Sequence, residues 1–136
     1  MRRHWLVGDQ DLLKKVEPVI VKILRRQMRA ESGWQYDLRE LVSKGKIDRE
    51  LHWWVQAENV VGHVNLFQHF GDEEALQIAL RCWNFIQTKL VDKVHGEWHW
   101  SLYADGTINM KDDKAGFWKC PYHNGRMCME ILERFS

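Results

Sequence analysis

No sign of charge dominates this sequence: 20 lysines and arginines stand against 19 aspartates and glutamates. A chain without a net field is a poor match for nucleic acid or an anionic membrane surface, so both are discounted as partners. Long apolar runs are missing too, none approaching the ~20 residues of a membrane span. The N-terminal stretch MRRHWLVGDQD is basic but has neither a long apolar core nor a small-residue cleavage site, and the chain reads as cytoplasmic. Cysteines number only three, Cys82, Cys120 and Cys128; an odd count without an export signal fits reduced thiols rather than a disulfide framework. No glycine-rich loop offers a seat for phosphates. The length of 136 residues suits one small core that buries roughly 65–70% of the surface of the unfolded chain.

Tryptophan is what the chain has in excess, eight residues, with Trp53, Trp54, Trp98 and Trp100 in or beside expected turns. Such rings serve a core, or floor a pocket for the flat apolar face of a ligand. The chain also repeats itself. Gly8 and Gly71, Asp9 and Asp72, Leu13 and Leu76, and Gly33 and Gly96 share an offset of 63, while Trp34 and Trp98, and Trp54 and Trp118, are 64 apart. Two units follow, approximately 8–70 and 71–136. Each opens with an aspartate suited to cap a helix, then acids, then apolar residues at helical spacing: Leu12, Val16, Val19, Ile20 and Ile23 in one, Leu76, Leu80, Trp83, Ile86 and Leu90 in the other. Pro18 predicts a kink in the first. Glycine-aromatic loops follow, ESGWQYDL and VHGEWHWSL, and the second runs into YADGTINM, where Asp105-Gly106 predicts a β-hairpin. A second helix is expected over about Trp53 to Phe70 in one unit and Tyr122 to Phe135 in the other.

Helix, decorated loop, helix, twice over, is an all-α pattern of α/α toroid-type hairpin repeats, about one third of a six-unit (α/α)6 barrel, with a short β-hairpin in a loop. Units of this kind need on the order of three or more copies to bury their apolar faces. The expectation is therefore a fragment, or a chain that completes its core as a homo-oligomer or with a partner.

The chemistry concentrates at two equivalent places. Trp54 and Glu58 are four apart and share a helical face, while Trp118 and His123 bracket the start of the matching helix. Glu58 lies in the mostly apolar WWVQAENVVGHVNLF, where a carboxylate can accept from sugar hydroxyls or orient an imidazole. Asn59 and His63 are taken as its structural neighbours. His123 follows the rigid Cys-Pro lead-in and suits acid–base work near neutral pH. Cys120, His123 and Cys128 lack a fourth ligand and a second paired motif, so no metal site is assigned; Cys120 is read as a packed thiol, since a nucleophile would need a partner arrangement that cannot be found. A glycosidase of the same shape would need two carboxylates across a cleft, Glu58 and Glu97. A non-catalytic carbohydrate-binding or interaction module is the other alternative.

At WWVQAENVVGHVNLF, at Gly96-Glu97-Trp98 and at FWKCPYH over Phe117 to His123, the sequence resembles the N-acylglucosamine 2-epimerase superfamily, most closely its cellobiose 2-epimerase branch. The resemblance implies an (α/α)6 barrel and a C2 epimerisation of the reducing-end sugar through a cis-enediol, without a cofactor. It implies that His123 is one of two histidines that exchange the proton, that Glu58 tunes this machinery or holds sugar hydroxyls, and that Trp54 and Trp118 pack on the sugar substrate. The family's other catalytic histidine, in a His-x-x-Glu motif, has no match; His4 is followed by Trp5, Leu6 and Val7. The expectation is a truncated form with little activity alone.

Overall fold

The computed structural model describes residues 49–136, preceded by the backbone alone of two short strands. These, β1 (Glu40–Leu41) and β2 (Lys46–Ile47), pair antiparallel. The helix expected over Leu12 to Ile23, its Pro18 kink, the ESGWQYDL loop and His4 lie outside the described residues.

From Leu51 onward the chain is built around one buried helix. Strand β3 (Leu51–His52) pairs antiparallel with β4 (Ser101–Leu102), Leu51 opposite Leu102 and His52 opposite Ser101. The Trp53 N–H then donates to the Trp100 carbonyl at 3.0 Å, so the sheet hands the chain directly to helix α1 (Trp53–Phe70). Apolar residues surround α1 on most sides, the signature of a helix packed on several faces: Trp53, Val55, Ala57, Val60, Val61, Val64 and Leu66 are all buried. The helix ends at Gly71, whose left-handed backbone (φ 69°) lets its N–H reach the Phe67 carbonyl at 2.9 Å, a turn that favours glycine.

Asp72 then caps α2 (Glu73–Phe85), its Oδ1 accepting from the Ala75 N–H at 3.0 Å, with Glu73 and Glu74 favourably placed in the first turn. The two-residue link makes α1 and α2 a helical hairpin. The buried stripe of α2 is Ala75, Ile78, Ala79, Cys82 and Phe85; of the line expected from spacing, Leu76, Leu80, Trp83, Ile86 and Leu90, the last two are buried and Trp83 packs partly on the core, whereas Leu80 is exposed. Ala75, Ala79 and Cys82 are small, and a stripe of small side chains lets α2 approach α1 closely. A π-helical turn (Ile86–Leu90), closed by Val91 N–H to the Ile86 carbonyl at 2.9 Å, brings Ile86 and Leu90 back into the core.

A long loop follows, pinned by a bridge between Val91 and Trp98 and by one between Leu102 and Ile108 across the Asp105-Gly106 turn. Gly106 sits at φ 84°, and the Asp105 carboxylate accepts from the Thr107 N–H and hydroxyl, so the expected hairpin is present. Helix α3 (Tyr122–Phe135) packs on α1. Contacts join His123 to Glu58 near their starts and Arg134 to Gln68 near their ends, so α1 and α3 run in the same direction. Only Asn124 and Met127 of α3 are fully buried, while Met129, Leu132 and Phe135 are exposed. Among the described residues no helix is long and apolar enough to cross a membrane.

Candidate active site

Trp53 fixes the site from below. It is buried in the core, its backbone is tied to Trp100, and its ring meets the His123 imidazole edge-on at 5.5 Å. One residue on, Trp54 lies tilted against the same imidazole at 5.9 Å, and Tyr122 closes a third side at 5.0 Å. One helical turn beyond Trp54, Glu58 reaches across to α3, where its Oε1 accepts from His123 Nδ1 at 2.6 Å. The same oxygen accepts from Arg126 Nη2. Arg126 also donates from Nη1 to Glu130 Oε1 at 3.0 Å, and Glu130 Oε2 is held by Arg134. Glu58, His123 and Arg126 are each about one third exposed, at 35%, 32% and 33%.

Partial burial opposes ionisation of Glu58. The hydrogen bonds from Arg126 and His123, together with their charges, outweigh it, and the carboxyl titrates below its usual value of 4.5. An ionised carboxylate only accepts hydrogen bonds, so the proton of the Glu58–His123 bond sits on Nδ1. In the neutral ring Nε2 is then the basic nitrogen. The pair can take a proton at Nε2 and return it, with Glu58 stabilising the imidazolium between the two events.

A second polar knot holds the loop against this pair. Lys119 is 2% exposed, and its ammonium donates to the Trp98 carbonyl at 2.5 Å, the Lys114 carbonyl at 2.6 Å and Glu97 Oε1 at 3.2 Å. It also lies 4.8 Å from the centre of the Trp53 ring, a cation–π contact away from water. Glu97, at an unusual positive φ of 62°, further accepts from its neighbour's backbone, Trp98 N–H, at 3.0 Å and from Asn124 Nδ2 at 2.8 Å. Burial pushes the Lys119 ammonium down and Glu97 pulls it back only in part. Glu97 Oε1 is thereby tied to the loop and to α3.

Three of the four site residues read from the sequence, Trp54, Glu58 and His123, therefore meet in space. Trp118 stands apart on the turn closed by the Gly116–Lys119 bridge. It is 83% exposed and packs edge-on against Phe117 at 4.9 Å. Cys120 is exposed rather than packed, just before the first turn of α3. Cys128 is half-buried against the core, and among the described residues no three His, Cys, Asp or Glu side chains are grouped to hold a metal. Asn59 and His63 do not join Glu58. Asn59 Nδ2 donates to Cys82 Sγ at 3.4 Å and so serves the α1–α2 contact, while the buried His63 Nδ1 bonds the Asn59 carbonyl one turn back on α1 at 2.9 Å. Arg126 and Lys119 were missed: each stands where a basic residue reads as solvated, and only pairing across 65 or more residues, or burial, reveals them. The one signal for Arg126 was its place one turn beyond Tyr122 and His123 on the same helix.

The model of the N-acylglucosamine 2-epimerase family matches residues 5–125. Cellobiose 2-epimerase of Bacteroides fragilis is 53% identical over 130 residues, covering 93% of this chain and 33% of that protein. Cellobiose 2-epimerase of Ruminococcus albus is 41% identical over 132 residues, with 95% and 33% covered. Among solved structures, a sugar epimerase from a ruminal bacterium superposes with a TM-score of 0.81 at 40% identity, covering 95% of this chain and 33% of that one. Cellobiose 2-epimerase from Spirochaeta thermophila gives 0.81 at 35% identity, with 93% and 32% covered. The chain spans about a third of the length of these relatives, and its fold is about a third of their (α/α)6 barrel.

Proposed function

The chain belongs to the N-acylglucosamine 2-epimerase family, and from that premise we propose that it carries part of a site that epimerises C2 of a reducing-end sugar. The observation that supports this most is the Glu58–His123 bond of 2.6 Å, walled by Trp53, Trp54 and Tyr122. After the sugar ring opens, the proton on C2 is acidified by the neighbouring carbonyl. His123 Nε2 takes it, or returns it, as the cis-enediol forms and collapses. Glu58 stabilises the imidazolium, and the indoles of Trp54 and Trp118 supply apolar faces for the sugar rings. Residues do all of this without a cofactor.

Inversion at C2 moves a proton from one face of the enediol to the other, so two bases must be positioned. The Glu58–His123 pair supplies one of them. The second base is assigned to the part of such a barrel that these residues do not match, in the same polypeptide or in a partner chain. The apolar face of α3, with Met129, Leu132 and Phe135 exposed, is the surface such a neighbour would cover.

The test is proton exchange at C2. Cellobiose is incubated in deuterated water with the chain, alone and mixed with the N-terminal two thirds of the Bacteroides fragilis cellobiose 2-epimerase, and followed by NMR. Deuterium at C2 and a 2-epimer, both lost in His123→Ala, support the reading. A folded chain that gives neither, with its complement present, overturns it.

A further inference from the structure

The fork of Arg126 spans two carboxylates. Nη2 donates to Glu58 Oε1, the oxygen that also holds His123, and Nη1 donates to Glu130 Oε1 at 3.0 Å. The guanidinium carbon lies 5.8 Å from the centre of the Tyr122 ring, which itself packs on the imidazole. Arg126 Nε is buried with no hydrogen-bond partner. A buried donor left unpaired is destabilising, so the orientation of this guanidinium is set by its two carboxylates and not by satisfying all its own donors. Glu130 is in turn anchored by Arg134, and Arg134 by Gln68 at the far end of α1. The ladder Glu58–Arg126–Glu130–Arg134 thus runs along the α1–α3 seam and ends at the imidazole.

We propose that Arg126 is a positioning residue for the His123 proton: by holding Glu58 Oε1 it fixes the Nδ1–H tautomer and keeps Nε2 as the basic nitrogen. Two consequences follow from geometry. Glu58 keeps its negative charge and its place even when the imidazole gives up or gains a proton. Because Arg126 and His123 share one acceptor oxygen, the carboxylate's pull on the imidazolium is also moderated, and a base that must release its proton again is not trapped. Among the described residues these groups bear on Glu58. From α3 it faces His123 and Arg126, with Tyr122 and Glu130 beyond them; from the loop, Lys119 lies behind Trp53. Arg126 acts through Glu58, and the inference rests on the proton-transfer reading of His123 above.

The variants are Arg126→Met, which removes charge and fork, and Arg126→Lys, which keeps the charge and so protects the fold but cannot span both carboxylates as the planar fork does. Three quantities are read on the full chain: the 13C titration of the Glu58 carboxyl, the 15N shifts of the His123 ring at neutral pH, and, with the complementing portion present, the pH profile of C2 exchange. In Arg126→Met the Glu58 midpoint shifts upward, the ring changes from one tautomer to a mixture, and the acid limb of the profile moves to higher pH. The turnover rate falls on the order of 10²-fold, the effect of a misplaced reacting group, while KM changes little. Arg126→Lys gives an intermediate rate and a mixed tautomer. Glu58 midpoint and tautomer unchanged in both variants overturn the inference, whatever the exchange assay reports. Midpoint and tautomer that both move support it, and if C2 exchange is then absent even with Arg126 intact, it is the sugar reaction that fails and not the positioning.

Discussion

Glu58 Oε1 accepts from His123 Nδ1 and Arg126 Nη2 at once, so one carboxylate oxygen on α1 anchors two residues that lie one helical turn apart on α3. Neither helix holds the imidazole alone. The seam between them is where orientation and charge of the pair are decided, and substitutions at Glu58 report on both.

Glu58→Gln keeps the shape and removes the charge. C2 exchange is expected to fall by on the order of 10²-fold, the lower end for a disabled acid–base group. Stability carries its own signature. A carboxyl whose folded value lies below its unfolded one stabilises above the unfolded value, near 4.5, and that stabilisation is lost as pH falls through the folded value. Urea midpoints measured from pH 7 down to pH 3 should therefore decline less steeply in Glu58→Gln than in the original chain. Equal slopes would show that the pair contributes nothing to acid sensitivity.

Cys82 provides a test at the opposite end of the pH scale. Its thiol is buried between α1 and α2, donating to Gln56 Oε1 at 3.4 Å and accepting from Asn59, and burial pushes it up to about 12 from 9.0. A thiol raised in the folded state stabilises fully below its unfolded value, and that contribution is lost as pH rises from about 9 toward 12. Iodoacetamide at pH 8 should modify exposed Cys120 quickly, and Cys82 only at the rate of unfolding. Mass spectrometry of the native chain showing early alkylation at Cys82 would mean that the α1–α2 contact opens readily.

How much of this was legible in the sequence differs by residue. Helix α1 was, because Trp53 to Phe70 is apolar on most sides and stops at a glycine; so was α3, after its proline. Glu58 and His123 were found because the repeat places them on equivalent helices and their types suit one chemistry. The buried stripe of α2 was read only in part: Trp83, Ile86 and Leu90 do face the core, but spacing favours the large Leu76 and Leu80 where the contact with α1 selects Ala75, Ala79 and Cys82. Trp118 matches Trp54 by offset, yet one sits on a helix against the imidazole and the other on an exposed turn. Spacing along a chain does not carry that difference. Lys119 is decided by tertiary burial, and Arg126 by a pairing with Glu58 at which its place one turn beyond His123 only hints.

Lys119→Met removes the ammonium from its cage of two carbonyls, Glu97 and the Trp53 ring. Both carbonyls lose this donor, while Glu97 keeps those of Trp98 and Asn124, a loss expected to cost about 1–3 kcal/mol, as for buried acceptors deprived of a partner. The urea midpoint should fall with the slope unchanged, and the loop between Val91 and Pro121 should become susceptible to proteolysis in the native chain. A midpoint within experimental error of the original would mean that the cage is not formed in solution.

Trp118 and Trp53 separate binding from folding. Trp53 is 3% exposed and Trp118 83%. Trp53→Ala is expected to lose about 3–5 kcal/mol of stability, since it empties a core site, and any loss of function there is confounded with unfolding. Trp118→Ala touches little of the folded structure and should stay within about 0.5 kcal/mol of the original. If its ring is a floor for sugar, its removal should weaken cellobiose binding by about tenfold, the equivalent of 1.4 kcal/mol, as read from NMR shift perturbations around His123. Unchanged affinity would assign Phe117 and Trp118 to contact with a neighbouring segment of protein instead, because a pair of rings this exposed has little other reason to stay clear of the core.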